Sequence, residues 1–135
     1  MKKLVYTILL YQILFFSSIE ATAGNLKITL ENSNNLKKAY FAGGCFWCME
    51  ESFDKIRGVI KSTSGYSGGM LTNPTYKQVT YEDTGHVETI EIIYDPTKTS
   101  YKDLLNIFWK NIDPFDKYGQ FCDKGKSYRS VAFFQ

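Results

Sequence analysis

The stretch HVETIEIIY, residues His86–Tyr94, is the clearest β-strand of the chain, and the rest of the fold is inferred outward from it. Successive side chains of a strand point to opposite faces. Glu88 therefore shares its face with the apolar Ile90 and Ile92. Glu91 lies on the opposite, less apolar face. The alternation predicts that Glu88 is the carboxylate that points toward the core or a pocket.

Weaker signals on both sides of this strand give an alternation of strands and helices. Before it come an apolar run that ends in two glycines, a helical repeat of apolar residues and a second extended segment: Ala39–Gly43, Phe46–Ile56 and Val59–Tyr66. Gly58 is predicted to end the first helix. After the strand, Ser100 and Asp103 form a capping box that opens the next helix, and Arg129–Phe134 is predicted to be the last strand. The order βαββαβ predicts an α+β fold, a ferredoxin-like split βαβ two-layer sandwich with helices on one face of a mixed or antiparallel sheet.

Residues 1–23 are predicted to be a secretory signal peptide. Lys2 and Lys3 precede the mostly apolar run Leu4–Phe16, and Ala21–Ala23 offers small residues for cleavage. The alternative is a retained membrane anchor, but the run is shorter than the roughly 20 apolar residues that span a bilayer. We therefore expect an exported protein, periplasmic or secreted, that meets the membrane only through this peptide before cleavage.

The remaining chain is predicted to hold a polar linker, residues 24–37, and one catalytic domain, residues 38–135. Without Lys2, Lys3 and Glu20, the 16 basic and 14 acidic residues fall to 14 and 13. This balance gives no argument for a nucleic-acid partner. We expect a monomer.

The motif Gly44-Cys45-Phe46-Trp47-Cys48 holds two of the three cysteines. An odd number in an exported protein indicates that at least one does chemistry or pairs with another molecule. Cys45 lies where a glycine turn meets a helix start, and backbone N–H groups there stabilise a thiolate nucleophile. Cys48 is one turn further and close enough to attack an oxidised Cys45. The alternative is that both are small buried apolar residues.

A zinc site is a further alternative, because Cys122 and His86 complete a possible Cys₃His set. No second C-x-x-C pair is present, however, and both residues are isolated in the sequence. No metal is predicted. His86, the sole histidine, is expected to shape a pocket or the strand entry.

Motifs spread from Tyr40 to Phe134 resemble those of peptide methionine sulfoxide reductases of the A class. They are, in order, GCFW at 44–47, GYSGG at 65–69, NPTY at 73–76, TGHVE at 84–88, YDP at 94–96, FW at 108–109, DP at 113–114, DKG at 123–125 and YRS at 128–130. Because so many short motifs occur in the same order, the resemblance is specific.

The resemblance implies a role for each matching residue. Cys45 would attack the sulfur of a methionine S-sulfoxide in an oxidised protein or peptide, leaving methionine and a sulfenic acid on the enzyme. Glu88 would be the acid that protonates the sulfoxide oxygen, with its pKa raised by burial. The substrate would be bound by two aromatic walls for its methyl group, two tyrosine hydroxyls and a supporting carboxylate: Phe46, Trp47, Tyr76, Tyr128 and Asp123. No cofactor is implied, because a thioredoxin-like protein or a small thiol would supply the electrons.

The chain departs from the family pattern in two respects. Many members have glycine where Cys48 stands and recycle the sulfenic acid with a cysteine nearer the C-terminus, which this chain lacks. Cys48 or Cys122 would then resolve it, unless an external thiol does so directly. The family also normally continues well beyond the position of Gln135, so a truncated domain is expected. Two alternatives remain open, a general C-x-x-C thiol-disulfide oxidoreductase and a truncated product without catalysis.

Overall fold

The computed structural model describes residues 35–133. The predicted signal peptide, nearly all of the predicted linker and residues 134–135 lie outside the described residues. The elements are β1 Lys37–Ala42, α1 Phe46–Asp54, β2 Val59–Ser67, α2 Tyr76–Tyr81, β3 Val87–Tyr94, α3 Tyr101–Lys110, β4 Gly119–Gln120, β5 Asp123–Lys124, a 3₁₀ helix Lys126–Tyr128 and β6 Val131–Phe133. No helix among the described residues is long and apolar enough to cross a membrane.

Four strands form one antiparallel sheet in the order β2-β3-β1-β6. The strand predicted from HVETIEIIY is β3, and it lies inside the sheet, between β2 and β1. In the register of these pairs, Phe41 of β1 is opposite Ile90, and Tyr66 of β2 is opposite Glu88. The predicted α+β class with an antiparallel sheet is confirmed, and β6 is the strand expected near the end of the chain.

The core lies between one face of this sheet and the helices α1 and α3. Its fully buried side chains include Phe41, Phe53 and Phe108. The ring centroid of Phe41 lies 5.8 Å from that of Phe53 and 4.9 Å from that of Phe108, so β1 is packed against both helices at once. Both helices therefore pack on the same face, as the apolar positions of the sequence predicted.

Helix α1 begins at Phe46, as predicted, with Cys45 between it and the two glycines, but it ends earlier than expected. Gly44 has a φ of 87°, in the left-handed region that favours glycine. The last helical residue is Asp54, and the Phe53 carbonyl accepts a hydrogen bond from Ile56 N–H at 3.0 Å just beyond it. The prediction that Gly58 ends this helix is wrong. Gly58 instead occupies the turn into β2, with a φ of 98°, and its carbonyl accepts a hydrogen bond from Asp95 N–H at 2.8 Å.

The predicted capping box of α3 is present. Ser100 Oγ accepts a hydrogen bond from Asp103 N–H at 3.1 Å, and the Asp103 carboxylate accepts one from Ser100 N–H at 3.0 Å. A second capping box, between Thr75 and Gln78, opens α2 and was not predicted. The short β4–β5 hairpin was not predicted either, because two-residue strands carry no periodicity.

We expect Phe41→Ala to lower the free energy of unfolding by about 3–5 kcal/mol, because it removes a ring at the centre of the core and leaves a cavity. The matched variant Phe115→Ala removes a ring that is 92% exposed, and should change the free energy of unfolding by less than about 0.5 kcal/mol. Urea unfolding followed by circular dichroism compares the two. Equal losses would contradict this view of the core.

Candidate active site

A hydrogen bond joins the start of α1 to the start of β3. Cys45 is the residue that precedes the helix, and its carbonyl accepts the first helical hydrogen bond, from Met49 N–H at 3.2 Å. Phe46, the first helical residue, donates its backbone N–H to Glu88 Oε2 at 3.0 Å. The residue after the candidate nucleophile is thereby bonded to the candidate acid.

The Glu88 side chain lies in the core, as the strand alternation predicted, and the residue is only 2% exposed. Burial raises the pKa of its carboxyl group, because the charged form loses its hydration. The hydrogen bond from Phe46 N–H lowers this pKa, the nearby charge of Asp123 raises it, and the net direction is upward. The group therefore holds its proton to a higher pH than an exposed glutamate does.

Four aromatic rings form a cluster that includes Phe46, the donor residue of this hydrogen bond. The Phe46 ring is nearly buried, and its centroid lies 5.1 Å from that of Trp47, 5.6 Å from that of Tyr66 and 6.4 Å from that of Tyr76. Trp47 stacks on Tyr76 at 6.0 Å with an interplanar angle of 17°. Since Trp47 is 62% exposed, it forms an open wall that an apolar group could cover.

Tyr128 belongs to the same cluster. Burial raises the pKa of its hydroxyl, and so do a hydrogen bond with the Tyr76 hydroxyl and the nearby charges of Glu88 and Asp123. Because those charges oppose a tyrosinate, Tyr128 remains a neutral hydrogen-bond donor. The structure thus brings together the tyrosines and both carboxylates that the sequence analysis named.

The three cysteines line one cavity of about 380 Å³ between the start of α1, the end of α3 and the β4–β5 hairpin. Cys45 is half-buried, Cys48 and Cys122 are exposed, and all three are free thiols. The neighbouring Cys45 side chain, and to a lesser extent burial, raises the pKa of the Cys48 thiol. Asp123 also lines this cavity. Cys45 therefore contacts the space in which both candidate resolving cysteines lie.

His86 is hydrogen-bonded to the loop after β2 and does not line the cavity of the three cysteines. Its Nδ1 accepts a hydrogen bond from Gly69 N–H at 3.3 Å, and its Nε2 lies 2.9 Å from the Leu71 carbonyl oxygen. Both contacts are satisfied by a neutral ring with the proton on Nε2. Within residues 35–133, no three His, Cys, Asp or Glu side chains are placed to hold a metal ion.

Sequence reasoning missed two residues of the site. One is Tyr66, whose ring packs on Phe46. The other is Gln120, which is 1% exposed, accepts a hydrogen bond from Asp113 N–H at 2.7 Å and donates one to the Asp113 carbonyl at 2.9 Å. A Cβ atom on Gly44 would lie 2.7 Å from Gln120 Cβ, so β4 packs closely against the turn before Cys45. A glutamine in an unpatterned loop gives no signal of this contact.

The fold and the site define an α+β protein suited to thiol chemistry beside a buried carboxyl group. The sequence model of the family described as "Peptide methionine sulfoxide reductase" matches residues 37–135. This chain belongs to that family.

Individual relatives agree with the family match. The chain is 56% identical over 95 residues to "Peptide methionine sulfoxide reductase MsrA" of Ligilactobacillus salivarius, covering 70% of this chain and 55% of that protein. It is 50% identical over 99 residues to the protein of the same name from Streptococcus mutans, covering 73% of this chain and 59% of that protein. It therefore spans somewhat more than half the length of these curated relatives.

Solved structures give the same result. "Methionine sulfoxide reductase A of Corynebacterium diphtheriae" superimposes with a TM-score of 0.73 at 33% identity, covering 75% of this chain and 48% of that one. Mxr1 from Saccharomyces cerevisiae in reduced form gives a TM-score of 0.70 at 28% identity, covering 75% and 60%.

The opposite environments of Glu88 and Glu91 predict opposite effects of pH on stability. The folded pKa of Glu88 is raised, so its contribution is present below the unfolded pKa of about 4.3 and is lost as pH rises through the folded pKa. We expect the free energy of unfolding of the wild type to fall relative to that of Glu88→Gln between pH 4 and 8, by about 1.4 kcal/mol per unit of pKa shift.

Glu91→Gln is the matched control on the same strand. Hydrogen bonds from the Tyr40 hydroxyl at 2.6 Å and from Lys38 Nζ at 2.9 Å lower the pKa of Glu91. Its contribution is therefore present above the unfolded pKa and lost as pH falls through the folded pKa. Denaturant unfolding at several pH values measures both differences, and the same sign for both variants would contradict the assignment.

Proposed function

We propose that this chain reduces the S epimer of methionine sulfoxide, in oxidised proteins and peptides or as the free amino acid, to methionine. Membership of the family supports the reaction class. The observation on which the mechanism rests is the hydrogen bond from Phe46 N–H to the buried Glu88 carboxyl, because it ties a proton donor to the residue after Cys45.

In the proposed reaction the Cys45 thiolate attacks the sulfoxide sulfur, and Glu88 gives its proton to the sulfoxide oxygen. The attack forms a bond between Cys45 Sγ and the substrate sulfur. This bond and the sulfur–oxygen bond of the substrate then break as the hydroxyl group moves to Cys45 Sγ. Cys45 becomes a sulfenic acid, and the substrate sulfur keeps the electron pair of the broken sulfur–sulfur bond as the thioether of methionine. The raised pKa of Glu88 supports the acid role, because the carboxyl group remains protonated nearer to neutral pH.

The remaining predicted residues would bind the substrate. We assign the exposed face of Trp47 and the edge of Phe46 to the sulfoxide methyl group, since both rings meet beside Cys45. Tyr76 and Tyr128 have adjacent hydroxyls close to Glu88, and would orient the sulfoxide oxygen. Asp123 would act through its charge on Glu88.

Recycling needs two electrons from thiols. Cys48 or Cys122 would attack the sulfenic acid, releasing water and forming a disulfide, which a thioredoxin-like protein or a small thiol would then reduce. The shared cavity supports either cysteine. Neither step requires a metal or a prosthetic group. Export through the predicted signal peptide and a monomeric state stay predictions from the sequence.

We expect Cys45→Ser to abolish reduction of a methionine S-sulfoxide peptide, because a serine hydroxyl without an activating base is a far weaker nucleophile than a thiolate. Glu88→Gln should lower turnover by about 100-fold or more, whereas the matched Glu91→Gln should keep most of it. Chromatography of both sulfoxide epimers after incubation of the full chain with excess dithiothreitol gives the rates.

Equal reduction of the R epimer would contradict the proposal. Rapid reduction of insulin disulfides without sulfoxide turnover would instead favour a general C-x-x-C oxidoreductase. Measurable peptide binding without turnover would favour a product that does not catalyse.

The resolving cysteine can be identified by one turnover without reductant. Because Cys48 lies one helical turn after Cys45 and lines the same cavity, we expect a Cys45–Cys48 disulfide, detected by peptide mapping after one equivalent of sulfoxide is added. Cys48→Ser should then leave a sulfenic acid that dimedone traps. A Cys45–Cys122 disulfide in the wild type would assign the role to Cys122.

A further inference from the structure

Tyr66 occupies the strand position directly opposite Glu88. The two residues are paired in the antiparallel register of β2 and β3. Residues opposite each other in such a pair have side chains on the same face, with Cβ atoms about 4.5–5.5 Å apart. Tyr66 is half-buried near the end of β2. It is therefore the β2 side chain nearest to the Glu88 carboxyl group in the sheet.

The Tyr66 ring also contacts Phe46, the residue whose backbone N–H donates a hydrogen bond to Glu88. Its centroid lies 5.6 Å from that of Phe46, with an interplanar angle of 37°. Phe46 is in turn bonded through its backbone N–H to Glu88 Oε2. The Tyr66 side chain thus lies beside both Phe46 and Glu88. It covers their hydrogen bond on the side that faces β2.

The groups that face Glu88 come from several elements. Tyr66 comes from β2, Asp123 from β5 and Tyr128 from the 3₁₀ helix, while Phe46 N–H comes from α1. Burial, with the charge of Glu88, raises the pKa of the Tyr66 hydroxyl, so Tyr66 is neutral beside it. A neutral ring at this position acts by excluding water and not by its charge.

We propose that Tyr66 is a positioning residue, whose ring holds Phe46 against Glu88 and keeps water away from the Glu88 carboxyl group. The proposal deepens the proposed function, in which Glu88 supplies a proton. Because the ring and not the hydroxyl does this, Tyr66→Phe retains the effect and Tyr66→Ala loses it. Water then solvates the ionised carboxyl group, and Glu88 releases its proton at a lower pH.

The test is a carbon-13 NMR titration of the glutamate carboxyl groups in the full chain, with Glu88 identified as the signal that Glu88→Gln removes. We expect the Glu88 midpoint in Tyr66→Ala to fall by about one pH unit, a tenfold drop in the ratio of protonated to ionised carboxyl at a given pH. Tyr66→Phe should keep the wild-type midpoint. Tyr81→Ala, which removes a tyrosine ring that is 78% exposed, is the matched control and should also keep it.

An unchanged midpoint in folded Tyr66→Ala would overturn the proposal, and so would an equal fall in Tyr66→Phe. If Tyr66→Ala does not fold, Tyr66→Leu replaces it. An unchanged Glu88 midpoint in Tyr66→Leu would equally overturn the role of the aromatic ring. The titration needs no substrate, so its outcome is independent of the proposed function. In an active enzyme, the basic limb of the kcat profile should move with the midpoint, which a purely structural defect would not cause.

Discussion

The hydrogen bond between Phe46 N–H and Glu88 Oε2 joins residues 42 positions apart and constrains the rest of the site. A carboxyl group that is 2% exposed is costly to bury unless it is hydrogen-bonded or protonated, and here both conditions favour burial. The N–H that it binds is one of those left free at a helix start. The same contact therefore gives a partner to a free N–H group at the start of α1 and fixes the position of the Glu88 carboxyl group. It also places Cys45 one residue before the donor, Phe46.

This constraint gives Cys45 two different neighbourhoods. On one side are the buried carboxyl group, the aromatic rings and the tyrosine hydroxyls, which suit a polar group that carries a small apolar substituent. On the other is the cavity with Cys48 and Cys122, which suits exchange between sulfur atoms. The proposed reaction, in which Cys45 first attacks a sulfoxide and is then attacked by a thiol, needs access from both. The turn before Cys45 packs closely against Gln120, and the absence of a side chain at Gly44 makes this close packing possible.

Much of the fold and of the candidate site could be predicted from local patterns in the sequence. The alternation along β3 distinguished Glu88 from Glu91, because successive side chains of a strand point to opposite faces. The glycine pair predicted the start of α1, and Ser100 with Asp103 predicted the start of α3. The end of α1 was misplaced, since Gly58 serves a turn that pairs with Asp95, a contact made only when β2 and β3 come together.

The sequence by itself determined the order of the main strands and helices, which glutamate of β3 is buried and the position of Cys45 at a helix start. Each of these depends on residues close together in the chain, where backbone geometry dictates which side chains share a face. Only the tertiary structure decided that Tyr66 stands beside Glu88, that Gln120 presses on Gly44 and that Cys122 shares a cavity with Cys45. Those contacts join segments from different elements, so strand register and loop packing, which have no local periodicity, determine them.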